Sequence, residues 1–388
     1  MKISYAATFD LQKPESWARR HLGLYRAGAR IAQALENEGI ELESLGVLHR
    51  KNSVVNKFKW LAYQKLFKQD FGSWADPAVS RHYARQLENQ LANSESDILL
   101  CLENAIPLAM TEPDRPMVLW TDTTLGSLVD FYPHMSSLCA ETRRNLLRME
   151  KSVLDKCALL VVNSSWAARR AQEIYGISAD KIEVIPRVAN RTQRLPVEDI
   201  QRAIEQRGTD VCRLLFMGVD WRRKGGNTAL GVAKLLNETG IRAELHIVGC
   251  KPAIDFPDFV QLHGFVDRST AQGRAHMAQL LQSTHFLLYP TQADALGMVL
   301  SEAGAYGVPA LATDVGGISD LVKADVTGKT FAVGSNWQEY CQFVSTYLAN
   351  PGRYRDLARS TLDFYCEYAS ERAVGQRAKS AFKAILER

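Results

Sequence analysis

Two patterns of apolar residues alternate along the chain: short unbroken runs and longer stretches with helical spacing. Short apolar runs bounded by turn residues predict strands that are buried on both faces. The predicted strands lie at 2–6, 98–102, 117–120, 158–162, 213–217, 245–248, 285–289 and 310–313. Between them, stretches such as 24–38 and 227–239 repeat apolar residues on one helical face. Strands that alternate with amphipathic helices are typical of an α/β fold with parallel sheets.

These elements form two series, which we interpret as two domains. A chain of 388 residues is too long for one ordinary domain and suits two domains of roughly 150–200 residues each. We assign 1–190 to an N-terminal domain and 210–366 to a C-terminal domain. The stretch 191–209 is polar, carries Pro196 and is predicted to be an interdomain linker with a short helix. The last segment, 367–388, is predicted to be an amphipathic helix.

The stretch 284–320 carries the clearest candidate chemistry. A strand ends at Tyr289, a polar loop carries Asp294, and a helix begins at Gly297 with Glu302 in it, eight residues after Asp294. A helix N-terminus offers N–H groups and a partial positive charge, and a glycine there lets a diphosphate approach the backbone. Glu302 is suited to accept from the hydroxyls of a ribose, and Asp294 from those of a sugar. From spacing alone, the alternative remains open that Asp294 is a solvated loop residue and Glu302 a surface helix residue.

A second strand-to-helix turn is rich in basic residues and glycine. It begins at Gly218 after a predicted strand and carries Arg222, Arg223 and Lys224 before a Gly-Gly step. Three basic side chains beside glycines at such a turn predict a cradle for a diphosphate.

Composition and charge narrow the class of protein. Hydrophobic residues make up 46% and charged residues 23%, as in soluble globular proteins. The net charge of +4 is too small to argue for a nucleic acid partner. We expect no signal peptide and no transmembrane helix, and seven scattered cysteines without a Cys-x-x-Cys pair argue against a disulfide framework or a zinc site. These features predict a cytoplasmic protein, with peripheral contact to the inner face of a membrane as a further hypothesis.

That hypothesis comes from the stretch 49–74, where lysines and aromatic residues alternate. Phe58, Leu61, Ala62, Lys65 and Leu66 share one helical face. A basic amphipathic helix of this kind can lie in a membrane interface and would give weak attachment to anionic membranes. The alternative is a helix that packs on its own domain with its lysines in water. From sequence alone we prefer this alternative.

Candidate residues in the N-terminal domain follow predicted strands. Asp122 lies just after the strand 117–120, where α/β enzymes place reactive groups. We hypothesise that Asp122 orients an acceptor hydroxyl or a donor sugar; the alternative is a helix cap for the segment that starts at Thr124. Arg19 and Arg20, in the loop after the first strand, are weaker candidates for binding phosphate, and exposed loop arginines are the alternative.

The residues from Asp294 to Glu302, with Thr313-Asp-Val-Gly-Gly317, resemble the donor-site motif of family 4 glycosyltransferases. These are retaining enzymes of the GT-B fold, and the resemblance extends over about 160–335. It implies two Rossmann-like domains facing across a cleft, with a C-terminal helix crossing back to the first domain. Lys224-Gly225 matches the end of the family's basic diphosphate motif. The chain departs from the family in having Asp294 for a Glu, Leu296 for a Phe, Val219 for an Arg and Asp122 near the place of a His.

The resemblance also implies an activity and a set of site residues. We expect transfer of a sugar, with retention, from a nucleoside diphosphate sugar, most often a UDP- or GDP-sugar, to a carbohydrate or lipid-linked acceptor. Such an enzyme would act in polysaccharide, glycolipid or glycoconjugate biosynthesis. The expected catalytic residues are Asp122, Arg223, Lys224 and Asp294. The expected donor-binding residues are Gly218, Lys224, Phe265, Val266, Gly297, Met298, Val299 and Glu302.

The sequence has no Asp-x-Asp motif, so we expect a metal-independent reaction without a cofactor, in which protein groups neutralise the leaving diphosphate. Two alternatives stay open. One is a sugar-nucleotide epimerase of the same fold, which needs no acceptor. The other is a catalytically silent GT-B partner protein, which the departures at Val219, Asp294 and Leu296 favour.

Overall fold

The computed structural model describes residues 1–13, 17, 22–51, 53–189 and 195–387. Arg19 and Arg20 lie outside the described residues. The chain divides into two units: a first unit of Met1–Val188 with Glu371–Arg388, and a second unit of Ala189–Ser370. Each unit contains one six-stranded sheet in which every described pair of strands is parallel.

The sheet of the first unit is built from short, buried strands. They are β1 (Lys2–Ala7), β2 (Glu41–Val47), β3 (Ile98–Cys101), β4 (Met117–Trp120), β5 (Leu159–Val162) and β6 (Ile182–Val184), in the spatial order β2-β1-β3-β4-β5-β6. Because β1 lies between β2 and β3, the chain changes winding direction there. Open α/β sheets bind ligands at such a switch point, beyond the carboxyl ends of the strands.

Helices cover this sheet, which is why β3, β4 and β5 are buried along their whole length. They are α1 (Leu22–Asn37), α2 (Val54–Ala62), α3 (Pro77–Leu91), α4 (Leu125–Leu128), α5 (Pro133–Ser136), α6 (Ala140–Lys156) and α7 (Ser165–Tyr175). A π-helical turn, Tyr63–Phe67, continues α2. Helix α7 shows how local sequence sets the bounds: the Ser164 hydroxyl accepts from the Ala167 N–H at 3.2 Å, and Gly176 ends the helix with a φ of 65°.

The sheet of the second unit has the Rossmann order. Its strands are β7 (Cys212–Met217), β8 (Ala243–Val248), β9 (Val260–Gly264), β10 (Phe286–Tyr289), β11 (Ala310–Thr313) and β12 (Gly328–Phe331), arranged as β12-β11-β10-β7-β8-β9. Strands β7 and β10 are neighbours, with Phe286 opposite Leu214. The switch point of this sheet therefore lies between the loops that follow β7 and β10.

One helix of the second unit differs from the sequence prediction. The helices of this unit are α8 (Val197–Gln206), α9 (Gly226–Glu238), α10 (Ala271–Ser283), α11 (Met298–Gly304), α12 (Ile318–Leu321), α13 (Trp337–Leu348) and α14 (Pro351–Phe364). Helix α8, predicted to lie in a linker, packs Ile200 and Ile204 into the core of this unit. Helix α11 ends at Gly304, and Gly307 turns the chain shortly afterwards with a φ of 58°.

The last helix, α15 (Glu371–Leu386), belongs to the first unit. It buries Val374 and Phe382 among apolar residues of the first sheet and α1. Gly375 permits the close approach, since a Cβ there would lie 2.5 Å from the Ala34 carbonyl oxygen. The expectation that the C-terminal helix returns to the first domain is confirmed. Among the described residues, no helix is long and apolar enough to cross a membrane.

Candidate functional site

An ion pair lies at the switch point of the second sheet. Lys224, at the end of the loop after β7, contacts the Asp294 carboxylate, which lies in the loop after β10. The Tyr289 hydroxyl contacts both groups, accepting from the Lys224 ammonium and donating to the same carboxylate oxygen. The Arg223 guanidinium lies 3.9 Å from that oxygen. The fold thus brings three predicted site residues together and adds Tyr289, which the sequence analysis did not identify.

Burial and charge act in opposite directions on this pair. The side chains of Lys224 and Asp294 are only 13% and 14% exposed. Burial alone raises the pKa of the Asp294 carboxyl, but the Lys224 charge and the hydrogen bonds from Lys224 and Tyr289 outweigh it and lower that pKa below its ordinary value. Burial lowers the pKa of the Lys224 ammonium, and Asp294 opposes this effect. Asp294 is therefore ionised at neutral pH and gives Lys224 a counter-charge.

The two loops of this site are joined through backbone groups as well. The Gln292 N–H donates to the Arg223 carbonyl at 2.8 Å, and the Arg223 guanidinium donates to the Ala293 carbonyl at 2.8 Å. Arg222, the other arginine of the basic turn, is exposed. The contacts of Arg223 fix the position of this residue beside the pair, and so Arg223 is the arginine that extends the positive charge of Lys224.

Gly218 and Gly297, both predicted to bind the donor, leave space for neighbouring side chains of the protein. Gly297 has a φ of 81°, and a Cβ there would lie 2.8 Å from the Tyr289 ring. A Cβ at Gly218 would lie 2.8 Å from Cγ of Lys224. The Gly297 N–H donates to the other carboxylate oxygen of Asp294 at 3.0 Å. These glycines therefore make room for the side chains that form the pair, and Asp294 fixes the start of α11.

Glu302 is buried in α11, with 5% exposure, and its carboxylate accepts from the Arg268 guanidinium at 2.8 Å. Arg268 follows Phe265 and Val266, which were predicted to bind the donor, and it connects their segment to Glu302, the residue predicted to bind the ribose. Phe265 is 72% exposed. Neither alternative for the two acids holds, since Glu302 is not a surface residue and Asp294 is not solvated. Arg268 had no signal in the sequence.

Met298 and Val299, the other predicted donor-binding residues, begin α11 and are half-buried. They follow directly after Gly297, whose N–H donates to Asp294.

Asp122 lies in the first unit, after β4. Its carboxylate contacts the Arg187 guanidinium and accepts from the Asn163 amide at 2.6 Å. The cap of the following helix α4 comes from elsewhere, because the N–H groups of Leu125 and Gly126 donate to the Glu150 carboxylate at 2.7 and 2.8 Å. The alternative that Asp122 caps this helix is therefore wrong.

A cavity of about 520 Å³ lies at the switch point of the first sheet. Glu103, after β3, is 6% exposed and accepts from the N–H and the hydroxyl of Thr8, after β1. Burial raises the pKa of the Glu103 carboxyl, against the two hydrogen bonds from Thr8. The lining is otherwise mixed, with Tyr25, Leu48, His49, Arg50, Trp74, Tyr83, Asn104, Ile106, Pro107, Leu125, Leu128 and Met135. The position of Glu103 after a buried strand is the signal that could have identified it.

The second unit is similar in sequence to a known protein family. Residues 197–362 match the model of the family described as Glycosyl transferases group 1, and this range covers nearly all of the second unit. The second unit belongs to the group 1 glycosyltransferases. A curated relative, the D-inositol 3-phosphate glycosyltransferase of Nocardia farcinica, is 28% identical over 193 residues, which are 46% of this chain and 42% of that protein. The chain thus spans less than half the length of this relative.

Solved structures extend the likeness to both units. HepE from Anabaena, solved in complex with UDP, has a TM-score of 0.65 at 16% identity, covering 99% of this chain and 100% of that chain. Sucrose-phosphate synthase from Thermosynechococcus elongatus also has a TM-score of 0.65 at 16% identity, covering 100% and 99%. These likenesses show that the chain has the two-domain α/β GT-B fold, as predicted.

Proposed function

We propose that this chain is a glycosyltransferase that moves a sugar from a nucleoside diphosphate sugar to an acceptor hydroxyl, with retention at the anomeric carbon. The observation that carries the proposal is the cluster of Lys224, Asp294 and Tyr289 at the switch point of a group 1 glycosyltransferase domain. HepE, which shares the fold, has been solved with UDP and with UDP-glucose. This supports a nucleotide sugar as donor, and retention is inferred from the resemblance of 294–302.

The charge at the site suits the departure of a diphosphate. In the transfer, the bond between the anomeric carbon and a diphosphate oxygen breaks, and the leaving oxygen gains negative charge. The acceptor hydroxyl forms the new bond to the anomeric carbon and gives its proton to the departing diphosphate oxygen. Fixed positive groups stabilise such a leaving group without a metal. Lys224 and Arg223 would supply that charge, with the start of α11 at Gly297 and Met298.

The pairing of Lys224 with Asp294 is compatible with this role. A lysine ammonium has three donors, so Lys224 can keep its contacts with Asp294 and Tyr289 and donate to a phosphate oxygen with the third. The two contacts hold the ammonium in position before the donor binds, which limits the reorganisation needed during the reaction. The main role of Asp294 would then be to hold Lys224 in position. Asp294 would also lie close enough to the sugar to accept from its hydroxyls.

Glu302 would hold the ribose of the donor. A carboxylate has about four acceptor positions, so it can accept from Arg268 and from the two ribose hydroxyls together. The segment with Phe265 and Val266 would contact the base, and Arg268 would couple the positions of base and ribose.

The first unit would bind the acceptor. Its cavity lies at a switch point and combines a buried acid, Glu103, with aromatic walls such as Trp74 and Tyr83. Sugars suit such a lining, because their hydroxyls donate to carboxylates and their apolar faces pack on aromatic rings. Asp122, held by Arg187 and Asn163, would orient the acceptor hydroxyl.

A thermal-shift panel of UDP, GDP, ADP, TDP and CMP tests the donor site. We expect one nucleotide to raise the melting temperature of the wild type, and Glu302→Ala to lose most of that rise. Glu238→Ala, an exposed position on α9 that is 56% accessible, is the matched control and keeps the rise. No rise with any nucleotide would contradict the proposal and would favour the silent partner protein. Product analysis of the matching sugar nucleotide, with and without acceptor, then separates transfer from epimerisation.

A further inference from the structure

Helix α2 and its π-helical continuation expose a row of large apolar side chains. Val54 is 68%, Phe58 68%, Leu61 41%, Leu66 75% and Phe67 63% exposed. Within α2 only Asn56 is buried. The interpretation preferred from sequence, that this helix packs its apolar face on its own domain, is therefore wrong. Apolar patches of this kind on a soluble protein mark an interaction surface.

The fold holds this helix by its opposite side. Asn56, Lys59 and Tyr63 recur at i, i+3 and i+7. The Lys59 ammonium lies 2.5 Å from the Glu141 carboxylate, and the Tyr63 ring stacks on Phe71 with centroids 5.8 Å apart and planes at 4°. Because these contacts run along one line of the helix, they point the Val54, Phe58 and Leu61 line away from the unit.

The charge around the apolar row is of one sign. Residues 49–69 contain no Asp or Glu and carry Arg50, Lys51, Lys57, Lys59, Lys65 and Lys68. A hollow of about 330 Å³ beside α2 is lined by Lys51 and by Arg81, His82 and Arg85 of α3. Like charges disfavour a second copy of this face as its partner. Basic residues beside exposed Phe, Leu and Trp are the composition of helices that lie in anionic membrane interfaces.

We propose that this α2 surface (Val54, Val55, Phe58, Leu61, Leu66 and Phe67 with the surrounding lysines) docks in the interface of an anionic lipid bilayer. The apolar side chains enter the boundary between head groups and acyl chains, and the lysine ammonium groups remain among the lipid phosphates. The basic hollow between α2 and α3 receives a lipid head group. Docking needs neither the donor nor the acceptor.

The position of the surface also bears on the acceptor class, a step that rests on the proposed function. Arg50 lines both the large cavity and a smaller hollow along α2, and its guanidinium donates to Ser73, next to Trp74 of the cavity wall. A bilayer docked on α2 therefore lies next to the cavity. The acceptor that this arrangement suits is one carried by the membrane, such as a lipid-linked sugar.

Vesicle flotation tests the apolar part of the proposal. We expect the full chain to float with phosphatidylcholine vesicles that contain phosphatidylglycerol at low salt, and Phe58→Ser with Leu66→Ser to weaken this binding by at least about tenfold. Both positions are exposed, so the variant keeps its fold. Ile254→Ser with Val333→Ser, 44% and 59% exposed in the second unit, is the matched control and floats like the wild type.

Substitution of single lysines tests the contribution of charge to membrane binding. Lys57→Gln and Lys65→Gln should each weaken binding by about fivefold at low salt, since one lysine near an anionic surface contributes about 1 kcal/mol. Lys234→Gln, 61% exposed on α9, should have no effect. Raising the salt should reduce the wild-type binding.

Three results would overturn the proposal: no flotation with anionic vesicles at low salt, equal flotation with pure phosphatidylcholine, or a dimer that Phe58→Ser with Leu66→Ser dissociates. The nucleotide thermal shift of that same variant is a separate readout. Loss of flotation with a normal nucleotide shift leaves the donor site intact. Flotation without any nucleotide shift leaves docking intact and contradicts the proposed function.

Discussion

At the scale of single residues, Asp294 connects the parts of the donor site. It contacts Lys224 and Tyr289 through one carboxylate oxygen and accepts from the Gly297 N–H through the other. Removing the charge of one partner from a buried ion pair leaves the other charge without compensation. Asp294 should therefore matter for stability as well as for transfer.

We expect Asp294→Asn to lower the free energy of unfolding by about 3 kcal/mol, because Lys224 keeps its buried charge and loses its counter-ion. Urea denaturation of the purified variants measures this. Asp294→Glu, which restores the family's usual residue, should lose less. Asp220→Asn removes the half-exposed partner of Arg223 and should stay within about 1 kcal/mol of the wild type. Equal losses for Asp294→Asn and Asp220→Asn would contradict the buried pair.

The residues of this site show how far a sequence can predict chemistry. Lys224 and Asp294 were both predicted, from a basic turn, a helix start and a family motif. The contact between them was not predicted, because they lie 70 residues apart in the sequence. They come together because β7 and β10 are neighbours in the sheet. Tyr289 and Arg268 had no local signal, since a tyrosine at a strand end and an arginine in a loop are common features. Their roles depend on which side chains the fold brings opposite them.

At the scale of elements, helix α4 is capped by a residue distant in sequence. Local sequence offered Asp122, but the N–H groups of Leu125 and Gly126 donate to Glu150, on α6. Burial raises the pKa of the Glu150 carboxyl to about 7, and the hydrogen bonds from Tyr175 and from the two N–H groups act against burial. The cap of α4 is therefore sensitive to pH in the neutral range.

This pKa predicts the direction of a stability change. Because the pKa of folded Glu150 lies above its ordinary value of 4.5, the stability that it contributes is fully present below about pH 4.5 and is lost as the pH rises to about 7. The loss amounts to roughly 3 kcal/mol. We expect Glu150→Gln to flatten the decline of the melting temperature between about pH 4.5 and 7. Glu173→Gln, 59% exposed on α7, should leave the decline unchanged; a decline of the same size in Glu150→Gln would show that other groups cause it.

Elements differed in how well their sequence patterns located them. The bounds of buried strands were predicted closely, as at 117–120. A strand of a parallel sheet is covered on both faces, and so its whole length appears in the sequence as an unbroken apolar run. Helices α8 and α2 were assigned wrongly for opposite reasons. An amphipathic pattern shows that a helix has an apolar face but not what covers it, and so α8 was placed in a linker although it packs in the second unit. The apolar face of helix α2 was thought to be packed, but the helix contacts its unit through the opposite face and leaves the apolar face exposed.

At the scale of the whole molecule, the chain returns to its first unit after completing the second. The amphipathic pattern of 367–388 predicted a packed helix, and only the resemblance to a family predicted where it packs. Helix α15 supplies Val374 and Phe382 to the core of the first unit, and the Phe382 ring meets Trp120 of β4 edge-on at 6.3 Å. Helix α15 is thus part of the core of the first unit, although it follows the second unit in the sequence.

Phe382→Ala tests whether α15 stabilises the first unit selectively. Removing a fully buried phenylalanine costs about 3–5 kcal/mol, so we expect faster hydrogen exchange in peptides that contain β1 and β4. Exchange in β7 and β10 should stay as in the wild type, and the nucleotide-induced thermal shift should persist, because the donor site lies in the second unit. Leu386→Ala, 41% exposed on the same helix, is the matched control and should leave exchange unchanged throughout. Faster exchange in β7 and β10 of the Phe382 variant would mean that the two units unfold together, and the donor site would then depend on a helix that belongs to the other unit.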